Sequence, residues 1–219
     1  MSEPAMSERD RRMRVNLNMP TGTTLLLIDE DGDRRSMFKQ LLREGGYSIA
    51  AAVNTVAKLG DAVRQHKPDA IVISTGQPSR RLLEQIAELK NADRRPVVLF
   101  SEDDRSETMQ SAIAAGVNAY IVLGLSSNRV RTGVDLAFIN FTQTETLRGK
   151  VAEAANALRE RKLIERAKGI IMKQRQIDED AAYALLRDRA MQQAMRIAEV
   201  ARMIIDATEL LTEASDGKS

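Results

Sequence analysis

Short apolar runs alternate with amphipathic segments five times between residues 23 and 141, and this alternation restricts the fold more than any other feature of the sequence. The run Leu25 to Ile28 within TLLLIDED is followed by SIAAAV, DAIVIS, PVVLFSED and AYIVLG. Gly45, Pro68 and Gly116 end three of the intervening segments, as expected at helix termini. Five such units with uniformly apolar strands predict a parallel sheet of five strands with helices on both faces.

The segments on either side of this α/β region have a different character. Residues 1–22 are polar and aperiodic, so we expect a flexible N-terminal extension. From Thr142 onward no strand pattern returns, and residues 142–162 predict a coiled-coil linker helix. Its apolar positions recur with spacings of four, three and four: Leu147, Val151, Ala154 and Leu158. We predict a homodimer through this seam; the alternative is a solvated helix that only links two domains.

Residues 163–212 are helical by pattern, and we expect residues 213–219 to be a disordered tail. Asp178 is a predicted N-cap, and the following Glu179 and Asp180 suit the positive end of a helix. The pattern does not decide between two helices and three, because MQQAM at 191–195 contains no helix breaker.

Composition excludes several classes of function. The chain has no cysteine and one histidine, His66, which leaves no thiolate or multi-histidine metal site, and we expect no cofactor. No apolar run approaches the roughly 20 residues of a membrane span, and we expect a cytoplasmic protein. The net charge is only +2, although residues 159–206 carry eleven basic and eight acidic side chains, so any nucleic-acid binding must be local.

Carboxylates follow the first predicted strand, where ligands of open parallel sheets gather. Asp29, Glu30 and Asp31 stand there, and such clusters suit Mg²⁺. With LLIDED, AYIVLG and the five βα units, residues 23–141 resemble the receiver domain of bacterial response regulators, which has a flavodoxin-like fold.

The resemblance implies a site at which an aspartate accepts a phosphoryl group beside a hydroxyl and a lysine. The matching positions here are Ser74, Ser101 and Leu123. Because the acceptor carboxylate and the lysine are missing, we predict a pseudo-receiver with a degenerate phosphorylation site, controlled by protein contact. Ser74 as a substitute acceptor and residual Mg²⁺ binding at Asp29 and Glu30 are the alternatives. Tyr120 matches the aromatic switch residue of the family.

The C-terminal segment resembles the ANTAR domain, in AKGIIM, in AAYALLR after an acidic helix start, and in AEVA. The resemblance implies an RNA-binding module of antitermination regulators, which engages paired hairpins in an mRNA leader as a dimer and prevents terminator formation. The receiver and ERKLIERAKGI most resemble the nitrate- and nitrite-responsive NasT type, which implies an inhibitory sensor protein of NasS type as a partner.

Lys168, Tyr183 and Arg187 are the first predicted RNA contacts, because hairpin loops offer phosphates for cations and bases for a ring. Further predicted backbone contacts are Lys173, Arg175, Arg189 and Arg196. We assign Gly169 to close helix packing or to close approach of RNA, with packing preferred. The predicted three-helix core consists of Ala167, Ile170, Ala181, Leu185, Ala190 and Ala201.

No nucleophile, base and orienting group converge in these motifs, so we do not expect an enzyme. Two other functions stay open. One is a DNA-binding response regulator, although no helix-turn-helix pattern supports it. The other is an interaction adaptor whose helical tail only dimerises.

Overall fold

A computed structural model describes residues 22–55, 59–122 and 126–216, with side chains up to Leu210. Five strands and seven helices occur within these ranges. The chain divides into two compact units between Glu145 and Thr146. The predicted extension at 1–22 lies, except for Gly22, outside the described residues.

The first unit contains a five-stranded sheet in which every neighbouring pair of strands is parallel. The strands are β1 (Thr24–Ile28), β2 (Ser48–Val53), β3 (Ala70–Thr75), β4 (Val97–Ser101) and β5 (Ala119–Val122). Their spatial order is β2-β1-β3-β4-β5, that of flavodoxin-like folds. This order confirms the fold predicted from the sequence.

Helices cover both faces of the sheet, as the apolar strands require. Four of them are α1 (Gly32–Glu44), α2 (Leu59–His66), α3 (Arg80–Ala92) and α4 (Ser106–Ala115). Leu25 and Leu27 pack with α1 and with the first turns of a fifth helix, α5 (Ser127–Arg175), while Leu26 and Ile28 pack with α2, α3 and α4. Successive strand residues therefore contribute to two separate cores.

The helix α5 (Ser127–Arg175) is continuous over 49 residues. The sequence predicted three successive segments here: a last receiver helix, the linker helix at 142–162, and the first helix of the C-terminal domain. No proline interrupts the stretch, and its three glycines, Gly133, Gly149 and Gly169, are isolated, so nothing in the local sequence ends the helix. Side chains 146–162 are all exposed.

The second unit packs the end of α5 against α6 (Glu179–Gln193) and α7 (Ile197–Asp216), so the C-terminal segment has three helices. Of the predicted core, Ala167, Ala190 and Ala201 are buried, and Ile170 and Ala181 are partly buried.

Two predictions in this unit were wrong. Leu185 is exposed and Leu186 is buried, since Leu186 lies one turn from both Ala182 and Ala190. Helix α7 continues to Asp216, inside the segment 213–219 predicted as disordered, because no breaker precedes Gly217.

A left-handed residue separates α6 from α7. Ala194 has φ 52° and ψ 37°. The Met195 amide donates to the Ala190 carbonyl at 3.0 Å, and the Ala194 amide donates to the Met191 carbonyl at 3.3 Å. These two bonds form a Schellman motif, which usually has glycine at the left-handed position. The absence of glycine explains why the sequence pattern did not reveal the break.

We therefore predict that Ala194→Gly raises the free energy of unfolding by about 1 kcal/mol, because glycine adopts this conformation without the Cβ clash. Chemical denaturation of the full chain, followed by helical circular dichroism, measures the change. Ala207→Gly, at an exposed position inside α7, is the control and should lower stability by about 1 kcal/mol. A lower stability for Ala194→Gly would contradict the prediction.

Candidate functional site

The predicted acceptor-site residues lie at the carboxyl ends of neighbouring strands. Ile28 of β1 is in register with Ile73 of β3, so Asp29 and Ser74 follow adjacent paired positions. Ser101 ends β4, in register with Thr75. The structure thus brings together Asp29, Ser74 and Ser101 as the sequence predicted, while Leu123 lies outside the described residues.

The carboxylate of Asp29 is fully buried and is paired with an arginine. Arg34 Nε donates to Asp29 Oδ2 at 2.9 Å, and Arg34 Nη2 donates to Asp29 Oδ1 at 2.9 Å. The Asp31 amide also donates to Oδ1 at 2.9 Å, and Arg35 Nη1 donates to the Asp29 carbonyl at 2.7 Å. The hydrogen bond with Asp29 raises the pKa of Arg34.

The start of α1 positions Arg34. Asp31 is the N-cap of this helix, and its carboxylate accepts from the amides of Asp33 and Arg34, both at 2.9 Å. The hydrogen bond from the Arg34 amide is the largest cause of a lowered pKa at Asp31. Glu30 is exposed. The role of Arg34 could not be predicted from the sequence, since its contact with Asp29 depends on how α1 packs beside the end of β1.

The two serines of the site differ in their surroundings. Ser74 is buried, and its Oγ has no hydrogen-bond partner among the described residues. Ser101 Oγ donates to the Gly76 carbonyl at 2.9 Å and accepts from the Asp103 amide at 3.1 Å. Ser101 therefore ties the turn after β3 to the turn after β4.

These residues do not fit the Mg²⁺ that receiver domains use. A divalent cation needs several free oxygen ligands, but both oxygens of Asp29 accept from Arg34, and Ser74 supplies a hydroxyl in place of a carboxylate. Within residues 22–55, 59–122 and 126–216, no group of three or more His, Cys, Asp or Glu side chains could hold a metal ion.

A second network lies after β4. The buried carboxylate of Asp103 accepts from Arg105 Nη2 at 2.6 Å and from Thr108 Oγ1 at 2.9 Å. The Arg105 side chain holds the pKa of Asp103 well below its usual range. Tyr120 donates its hydroxyl to the Asp103 carbonyl at 2.7 Å, and burial raises the pKa of Tyr120. Tyr120 thus joins β5 to this turn, a role that its position in the sequence alone did not show.

Two predicted RNA contacts share the outer side of α6. Tyr183 is 43% exposed, and Arg187 is exposed one turn further along the same helix. Arg187 Nη2 lies 3.7 Å from Asp188 Oδ1, and the Arg187 side chain is 58% exposed. The other predicted contacts are also exposed: Lys173, Arg175, Arg189 and Arg196. Arg196 Nη1 lies 3.5 Å from Glu160 Oε1.

Lys168 is different, because it is only 7% exposed. Its Nζ lies 2.8 Å from Glu165 Oε2 and 2.5 Å from Glu179 Oε1. Hydrogen bonds with Glu165 and Glu179 raise the pKa of Lys168. The predicted direct RNA contact at Lys168 does not fit this geometry, since both carboxylates hold the ammonium between α5 and the first turn of α6.

Gly169 is exposed on α5, and a Cβ built there would meet nothing within 4 Å. Helix packing, the preferred explanation from the sequence, therefore does not account for this glycine within the chain.

The apolar seam of α5 is exposed. Leu147, Val151 and Leu158 are 62%, 69% and 55% exposed, and Ala154 is also exposed. By helical phase, four basic residues border the seam: Arg148, Lys150, Arg161 and Lys162. Glu153 and Glu160 lie on the opposite side of the helix.

Comparison with known families agrees with both units. The response regulator receiver domain model matches residues 25–135, which is half of the chain, with the parallel sheet described above. The chain therefore belongs to the response regulator family. More particularly, residues 152–205 match the ANTAR domain model, so the receiver domain is followed by an ANTAR domain.

The chain is also similar to individual proteins, over different shares of its length. The transcriptional regulatory protein PdtaR of Mycobacterium tuberculosis is 25% identical over 182 residues, covering 83% of this chain and 89% of that protein. A nitrate regulatory protein of Klebsiella oxytoca is 37% identical over 68 residues, covering 31% of this chain and 17% of that protein. The structure of the chemotaxis response regulator CheY4 of Vibrio cholerae, 15% identical, covers 53% of this chain and 99% of its own with a TM-score of 0.48.

In the part of the chain that the structure describes, none of the helices combines the length and the apolar character that crossing a membrane requires.

We predict that the Lys168–Glu179 pair makes stability depend on pH. Lys168 lowers the pKa of Glu179 below its ordinary 4.5, so the pair stabilises the fold above that pH and this contribution is lost as the pH falls through the lowered pKa. Glu179→Gln should therefore lose less stability on acidification than the unmodified chain. Urea denaturation at neutral and acidic pH measures the difference.

The matched control for this experiment is Glu153→Gln, at an exposed position on α5. Its pH dependence should follow that of the unmodified chain. An identical loss of stability in Glu179→Gln would show that the pair does not contribute.

Proposed function

We propose that this chain is a transcription antitermination regulator whose ANTAR domain binds tandem hairpins in an mRNA leader and prevents terminator formation. The observation that carries the proposal is the ANTAR match at residues 152–205, with Tyr183 and Arg187 exposed side by side on α6. Binding alone accounts for this function, and no chemical step is needed.

The chemistry of α6 suits a hairpin loop. Unpaired bases in such loops can stack on an aromatic ring, and Tyr183 is the only aromatic residue after Thr146. Arg187 lies one turn away, close enough for its planar guanidinium to bond a base edge or a phosphate beside the stacked base. Lys173, Arg175, Arg189 and Arg196 supply further positive charge for backbone phosphates.

Lys168 contributes by positioning. Its ion pairs with Glu165 and Glu179 hold the first turn of α6 to α5. This contact sets the direction of α6, and therefore the place at which Tyr183 and Arg187 are presented.

A homodimer through α5 would present two ANTAR domains to the two hairpins. The exposed seam of Leu147, Val151, Ala154 and Leu158 supports this arrangement, because a stripe of this spacing is typical of a coiled coil. The basic border of the seam would weaken the association at low ionic strength through repulsion between like charges.

We propose control by a protein partner and not by phosphorylation. Ser74 occupies the acceptor position without a neighbouring base, and a hydroxyl in such surroundings is a weak nucleophile. The partner is an inhibitory nitrate or nitrite sensor of NasS type. The similarity to a nitrate regulatory protein over 68 residues supports nitrate as the signal.

Gel shifts with a two-hairpin leader RNA test the interface. We predict that Tyr183→Ala and Arg187→Ala each weaken binding by about tenfold, because each removes a stacking or bidentate contact. Arg202→Ala, which removes an exposed cation from α7, is the matched control and should change the affinity by less than about threefold.

Three results would contradict this assignment. Unchanged binding by the Tyr183→Ala, Arg187→Ala double variant would place the RNA elsewhere. Equal affinity for duplex DNA at matched salt would favour a DNA-binding regulator. Dimerisation without affinity for RNA would favour the adaptor function.

Sedimentation of the full chain tests the seam. Leu158→Asp should produce a monomer, because it places a carboxylate in the apolar stripe. Asn156→Asp adds the same charge on the opposite side of α5 and should leave the dimer intact. The dimer of the unmodified chain should strengthen as salt rises, since salt screens the basic borders. A dimer that survives Leu158→Asp would require a different interface.

A further inference from the structure

We propose that the guanidinium of Arg34 takes the place of a divalent cation in the receiver domain, and that Asp29 is retained as its counter-charge and not as a metal ligand. This inference concerns the acidic edge of the sheet. It does not depend on RNA binding by the ANTAR domain.

Both carboxylate oxygens of Asp29 accept hydrogen bonds from the protein itself. Arg34 donates to both carboxylate oxygens in a bidentate arrangement at 2.9 Å, and the Asp31 amide donates a further hydrogen bond to Oδ1. The aspartate has no exposed surface. A cation at this carboxylate would have to displace the guanidinium and compete with its positive charge.

The buried carboxylate of Asp29 requires a positive charge beside it. A buried carboxylate is costly unless a counter-charge and hydrogen bonds compensate it. In this chain the compensation comes from α1, whose N-cap Asp31 binds the Arg34 amide and fixes the side chain over Asp29. The structure therefore supplies internally the charge that a bound ion would otherwise supply.

Arg34 also contacts a second loop at this edge of the sheet. Its Nη1 lies 3.8 Å from Glu102 Oε1, in the turn after β4. The same guanidinium therefore links the end of β1 to the turn that Ser101 and Asp103 organise.

The pairing with Arg34 accounts for an acidic cluster beside a serine at the acceptor position. The chain carries Asp29 and its acidic neighbours together with Ser74 at the position that matches the phosphoryl acceptor. A carboxylate that pairs with a partly buried arginine has a structural role that does not require an acceptor beside it. In this arrangement Ser74→Asp alone does not restore a cation site, because Arg34 still holds Asp29.

Manganese binding to the full-length chain, measured by electron paramagnetic resonance, tests the inference. The variants are Ser74→Asp, the double variant Ser74→Asp, Arg34→Ser, and the control Ser74→Asp, Arg43→Ser, which removes an exposed arginine at the end of the same helix. We expect the Arg34 double variant to bind Mn²⁺ at least about tenfold more tightly than the other two variants and the unmodified chain.

A second measurement is the melting temperature with and without Mg²⁺, which should rise only in the Arg34 double variant, because ligand binding stabilises the folded state. Tight Mn²⁺ binding by Ser74→Asp alone would overturn the inference, whether or not the Arg34 variant folds. Equal binding by the Arg34 and Arg43 double variants would also overturn it. Hairpin binding by the same proteins reports on the ANTAR domain separately.

Discussion

The first unit depends on one constraint: a parallel sheet of short apolar strands must be covered on both faces. In β1, Leu25 and Leu27 enter one core while Leu26 and Ile28 enter the other. The helices needed for this coverage set the strand order and bring the ends of β1, β3 and β4 to one edge. The buried Asp29–Arg34 pair and the bonds of Ser101 and Tyr120 all lie at that edge.

The fold could be predicted because its signals are local. Alternating apolar runs, Gly45 and Gly116 at helix ends, and the Asp178 cap each appear within a few residues of sequence. The break at Ala194 could not be predicted, because the left-handed backbone that ends α6 occurs at an alanine, a residue that does not usually mark a helix end. Leu185 was misplaced for a related reason, since one residue of helical phase separates the buried side of α6 from its exposed side.

The sequence predicted where the candidate site residues lie better than it predicted which side chains they contact. Asp29, Ser74 and Ser101 come together as expected from their strand ends, and Tyr183 and Arg187 share an exposed side of α6. Arg34 and the carboxylates around Lys168 were not foreseen, because pairing between charged side chains depends on three-dimensional distances. A motif places a residue in the chain, but whether its charged side chain forms an ion pair depends on residues from other helices and strands.

The Asp29–Arg34 pair has a consequence for the conditions that this domain can sense. The guanidinium of Arg34 is part of the chain and is present once per molecule, so neither a chelator nor a low magnesium concentration can remove it. The stability of the acidic edge of the sheet therefore does not depend on the concentration of a divalent cation, because Arg34 supplies the counter-charge of Asp29.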